Sequence, residues 1–91
     1  MPALTSIFFT HQAIADLEYW GKHNPDRLVK IGQLIDDAMK NPRKGIGLPK
    51  PLKYSLEGLW SRRITLEHRL VYSFDKTTLN IIQARHHYED L

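Results

Sequence analysis

Arginine and histidine recur in this sequence where strands are expected: Ser61-Arg62-Arg63, His68-Arg69 and Arg85-His86-His87-Tyr88. Strand residues two apart share a face. Charged positions interleaved with Ile64, Leu70, Val71, Ile81 and Ile82 can therefore gather guanidinium and imidazole groups opposite an apolar core. Such a surface suits a phosphodiester, because arginine offers two parallel hydrogen bonds to phosphate oxygens and histidine titrates nearest neutral pH. Cleaving RNA without a metal needs a base for the 2′-hydroxyl proton, cations for the crowded phosphorane, and an acid for the departing 5′-oxygen. Arginine and histidine supply the second and third of these.

The elements that must position these groups are legible from periodicity. Leu4 with Ser6-Ile7-Phe8-Phe9 reads as a first strand, and Thr10 caps a helix whose apolar residues Ala13, Ile14, Leu17 and Trp20 recur at helical spacing. Asn24-Pro25 starts a second helix, with a stripe from Leu28 to Met39 that stops at Asn41-Pro42. Residues 41–53, rich in Gly, Pro and Lys, read as a basic loop in which no helix or central strand can persist. Three β-rich runs follow, Leu59–Thr65, Arg69–Phe74 and Leu79–Arg85, joined by short polar turns as an antiparallel meander. The predicted order is β-α-α-β-β-β. This is an α+β domain spanning residues 1–91, with two N-terminal helices packed on one face of a small antiparallel twisted sheet.

Composition narrows the function. With 91 residues the chain holds one core and no second lobe, so an active site must lie on an open face. The absence of cysteine excludes disulfides and thiolate chemistry. No apolar run approaches the roughly 20 residues of a membrane span, and the start lacks the basic flank of a signal peptide, so a cytoplasmic protein without a membrane partner is expected. The net charge of +3 is unevenly spread: residues 42–88 carry 9 Lys/Arg against 3 Asp/Glu, while residues 1–41 carry 4 against 5. A basic second half points to a polyanion.

Trp20 and Trp60 read as core packing, and His11 and His23 as surface residues at helix ends. Adjacent residues diverge on a strand, so His86 and His87 do not make a metal clamp; no metal or cofactor is expected. Gly45 and Gly47 lack the preceding strand and following helix of a phosphate cradle. Glu89-Asp90-Leu91 reads as a frayed tail, though two carboxylates beside a phosphate site could tune it.

The stretch 45–54, GIGLPKPLKY, followed by G-L-W-S-R-R-I-T at 58–65, E-H-R-L-V-Y at 67–72 and the His87-Tyr88 ending, closely resembles the YoeB toxins of the RelE/ParE superfamily. The resemblance, which includes Tyr19-Trp20, implies a RelE-like fold and a toxin that cleaves mRNA in the ribosomal decoding site. It further implies a YefM-like antitoxin as partner, with an acidic segment that covers the basic face, and allows for a homodimer. Carried over residue by residue, it gives a working set of Lys53, Arg63, Arg69, His87 and Tyr88. Arg69 and Arg63 hold the scissile phosphate, Lys53 supports them, and His87 with Tyr88 positions and protonates the leaving group. Arg62, turned to the other strand face, is a structural or rim member, counted with Lys53, Lys50 and Arg85 as RNA- or phosphate-binding.

One position departs from the family. Lys50 stands where the P-E-P-L-K pattern carries the glutamate taken as general base. Glu67 and neutral His87 are the available substitutes, and a missing base costs about 100- to 10,000-fold in rate. Two further classes compete with the ribonuclease: a ParE-like inhibitor of DNA gyrase, and a nucleic-acid-binding module without chemistry.

Overall fold

The computed structural model describes residues 3–87. Strand β1, Ser6–Phe9, passes directly into helix α1, His11–His23. Thr10 makes the switch: its backbone is extended, its hydroxyl accepts from the Ala13 N–H at 3.0 Å, and the same oxygen donates to the Ile82 carbonyl at 2.6 Å. Asn24 both closes α1 and opens helix α2, Pro25–Lys40. Its N–H reaches the Trp20 carbonyl at 2.8 Å while its side-chain oxygen accepts from the Arg27 N–H at 3.3 Å. Proline at the first position of α2 loses nothing, since that N–H has no intrahelical acceptor.

Strands β2 (Lys50–Pro51), β3 (Trp60–Arg63), β4 (Arg69–Phe74) and β5 (Thr78–Gln83) complete a five-stranded sheet in the order β1-β5-β4-β3-β2. The meander of β3, β4 and β5 is antiparallel as expected, with a bulge between Val71 and Tyr72. The sheet as a whole is mixed rather than antiparallel throughout. The chain crosses both helices and the meander before β5, which then runs alongside β1 in the same direction, Ser6 opposite Thr78 and Phe9 opposite Ile81. The loop expected over 41–53 also contains the two-residue β2, Lys50 opposite Ser61 and Pro51 opposite Trp60. A strand this short containing proline survives because it lies at the sheet edge, where few ladder bonds are needed.

The helices lie on one face. Trp20, Ile31 and Leu34 pack with Leu70, Tyr72 and Ile81 in a single buried cluster. Leu52 and Val71 are buried outside that cluster, so the opposite face is partly covered as well.

Candidate active site

Alternation along β3 and β4 decides which charges meet. Arg62 pairs with Leu70 and points with it to the helix side, so Arg63 and its direct partner Arg69 point to the opposite face. Ser61, two residues before Arg63, is opposite Lys50, which places Lys50 on that same face. Like charges directly opposite on neighbouring strands destabilise a sheet. A bound anion would reverse the sign of that interaction.

Arg69 is held in position. Its Nη1 donates to the carbonyls of Thr65 and Leu66 at 2.6 and 2.7 Å, in the turn between β3 and β4. Its Nε and Nη2 donors have no partner among the described residues. One side of the fork is therefore anchored, and the other is available for an oxyanion.

The segment after β5 is fastened at several points. The Ala84 N–H donates to Asp16 Oδ2 at 2.9 Å, and the Trp20 indole donates to the Ala84 carbonyl at 2.8 Å. Gln12 orients the Asp16 carboxylate by donating to its other oxygen. Two residues later the His86 N–H donates to Nδ1 of His68 at 2.9 Å, and the His86 carbonyl accepts from the Arg69 N–H at 2.9 Å. His86 itself adopts φ +65, a left-handed conformation that costs a non-glycine residue about 1–3 kcal/mol. These bonds bring half-buried His87 beside the start of β4. Tyr88 and the Glu89-Asp90-Leu91 tail lie outside the described residues.

Burial holds His68 below the ordinary histidine range, with help from Arg27, His86 and Arg85 and against Glu67. Glu67 is exposed on the turn that precedes Arg69. Lys53 is exposed at the head of a 3-10 turn, Tyr54–Leu56, and with Lys50, Leu52 and Tyr54 it lines an open groove of about 620 Å³. Tyr54 is 92% exposed, with φ +59. A flat ring beside two lysines supplies both stacking surface and charge for a nucleic-acid strand.

One expected phosphate contact is corrected. Arg62 is completely buried, and all five of its N–H donors are satisfied within the protein. Nε donates to the Tyr72 hydroxyl, Nη1 to Asp37 and the Ile46 carbonyl, and Nη2 to the carbonyls of Asn41 and Lys44. It fastens the 41–47 loop to the sheet and has no donor left for phosphate. Gly45 and Gly47 serve the same junction. Both have positive φ, and a Cβ at Gly45 would overlap the Asp37 carboxylate that Arg62 binds. The Arg85 guanidinium lies 3.5 Å from the centre of the Tyr19 ring in α1, a cation–π contact that sets it against the first helix.

Asp16 was absent from the expected set, although a signal for it exists. It sits at the centre of the apolar series Ala13, Asp16, Leu17, Trp20, and a carboxylate on a buried helix stripe requires a partner. Trp20 is core, as expected, while Trp60 is half-buried against Phe74. His11 and His23 are exposed.

A family described as "YoeB-like toxin of bacterial type II toxin-antitoxin system" matches residues 9–88. Toxin YoeB of Escherichia coli K12 is 42% identical over 82 residues, covering 90% of this chain and 98% of the relative. Among solved structures, a YoeB dimer from Staphylococcus aureus matches with a TM-score of 0.86 and 38% identity, covering 94% of this chain and 100% of the other. A YoeB–YefM complex from the same organism matches with a TM-score of 0.84 and 39% identity at the same coverage.

Proposed function

This chain belongs to the YoeB-like toxins of bacterial type II toxin-antitoxin systems, and from that premise we propose that it is an endoribonuclease acting on mRNA at the ribosome. The observation that carries the reading is the Arg63–Arg69 pair on the face away from the helices, next to the clasped segment that bears His87. In the proposed reaction the 2′-oxygen bonds to phosphorus and the P–O5′ bond breaks, leaving a 2′,3′-cyclic phosphate and a 5′-hydroxyl. Arg63 and Arg69 hold the non-bridging oxygens and stabilise the charge of the phosphorane, with Lys53 adding to the field. Glu67 takes the 2′-hydroxyl proton and His87, with Tyr88, returns one to the 5′-oxygen; alternatively His87 takes it and Tyr88 is the donor. A YefM-like antitoxin, the partner seen with the S. aureus relative, is proposed to cover this basic face.

The test is incubation with free RNA, DNA and programmed ribosomes in excess chelator, with and without the cognate antitoxin. Cyclic or 3′-phosphate and 5′-hydroxyl ends are expected from RNA alone, and none when antitoxin is present. Products with 5′-phosphate ends that disappear with chelator would point to a metal-activated water and overturn the mechanism. Undiminished killing without RNA cleavage would move the protein to the gyrase-blocking class.

Lys50 lies on the same face as the arginine pair, opposite Ser61. If the missing carboxylate limits proton removal, Lys50→Glu is expected to raise the single-turnover rate at neutral pH by up to about 100-fold. If Lys50 instead contributes charge to RNA binding, the variant will bind RNA more weakly and with a flatter salt dependence, while the step after binding keeps its rate. Rates and affinities measured across salt separate these outcomes; no change in either would place position 50 outside the working site.

A further inference from the structure

The end of the described chain is held by a group that can lose its grip on protonation. The His86 N–H donates to Nδ1 of His68 and the His86 carbonyl accepts from the Arg69 N–H, both at 2.9 Å, so His68, just before β4, and Arg69, its first residue, clasp both sides of one left-handed residue. A ring nitrogen accepts a hydrogen bond only while it carries no proton, which assigns the proton of neutral His68 to Nε2. Doubly protonated His68 would turn an N–H toward the His86 N–H. A single attraction would become a repulsion, at a residue whose left-handed backbone depends on such partners to hold its conformation.

We propose that His68 is the positioning residue for the catalytic end of the chain: its neutral ring locks the kink at His86, and its protonation releases the segment that carries His87. The proposal rests on the role given to His87 above. The groups around the ring come from every neighbouring element. Trp20 of α1 meets it in a T-shaped contact, 4.9 Å between ring centres, and the Arg27 guanidinium of α2 lies 4.8 Å from the centre of that indole. Glu67 belongs to the turn before it, and Arg85 and His86 to the clasped segment. The balance, dominated by burial and Arg27, keeps the ring neutral at physiological pH and lets it charge only in acid. The sign is fixed: with the folded-state value depressed, the contribution of the clasp is full above the ordinary histidine range and is lost as pH falls through the lower folded value.

Two variants separate positioning from simple packing. Asn at 68 can place an amide oxygen near the site of Nδ1 and does not titrate, whereas Leu fills the space and accepts nothing. Single-turnover cleavage by the wild type should fall tenfold or more in acid, with the midpoint at which the His68 ring titrates by NMR. His68→Asn should stay within a few-fold of wild type at neutral pH and lack that acid step, and His68→Leu should lose tenfold or more in kcat with KM little changed. Superimposable pH profiles for wild type and His68→Asn, or full activity in a folded His68→Leu, would overturn the proposal. The His86 amide provides a readout independent of RNA. Its shift should follow the His68 titration in the wild type, and an amide that ignores it would sink the clasp whatever the activity. An amide that follows it in a protein that cleaves no RNA would leave the clasp standing and count against the ribonuclease reading.

Discussion

Cells expressing His87→Ala or Arg69→Ala are expected to grow normally where the unaltered chain kills them, with single-turnover RNA cleavage reduced about 10²- to 10⁴-fold by loss of the imidazole alone. Neither side chain belongs to the buried cluster, so both variants should remain folded. His87 follows the clasp at His86, whose hydrogen bonds are made by backbone groups of His86 and Arg69 and by the His68 ring. Arg69→Ala frees the Thr65 and Leu66 carbonyls, but these lie in a turn at the surface, so the cost in stability is small beside the loss of the donors on Nε and Nη2. Circular dichroism with thermal melts establishes folding, and growth assays establish toxicity. Normal killing by both folded variants would refute the site.

Arg62→Ala should have the opposite character: a protein lost through instability. Removing the guanidinium leaves Asp37 without its cation and strips hydrogen bonds from the Tyr72 hydroxyl and three carbonyls of the 41–47 loop. Asp37 is 30% exposed and can rehydrate, so the cost comes from the orphaned carbonyls and the cavity left by a fully buried side chain, about 2–4 kcal/mol, which in a domain of this size lowers Tm by about 10 °C or more. Arg62→Lys should recover little, since one ammonium cannot reach acceptors arranged around a planar fork. Acid should tell the two proteins apart. The Arg62 guanidinium holds the Asp37 carboxyl below its usual range, so the pair stabilises the fold fully above about pH 4 and loses that contribution as pH falls through the lower folded value. The acid limb of the stability curve should therefore be shallower in Arg62→Ala. An Arg62→Ala variant that melts within a few degrees of wild type, yet fails to bind RNA, would restore Arg62 to the phosphate site.

What the sequence determined by itself was whatever depends on near neighbours along the chain. Thr10 and Asn24-Pro25 specify helix starts because a cap satisfies N–H groups only three residues away. The adjacency of Arg62 and Arg63 requires opposite faces, and the spacing of Arg63 from Ser61 requires a common one. The W-S-R-R-I-T and E-H-R-L-V-Y runs identify the family. The choice of which arginine goes inside belonged to the tertiary structure. Only when the 41–47 loop crosses the sheet do Asp37, Ile46, Asn41 and Lys44 present enough acceptors to take a guanidinium out of water. Distance along the chain hid the rest in the same way: Arg85 meets Tyr19, Asp16 meets Ala84, and β1 meets β5, each pair separated by more than sixty residues. Local pattern carries no information about such partners, because the free energy of burying a charge or closing a sheet is set by groups that are near only after folding.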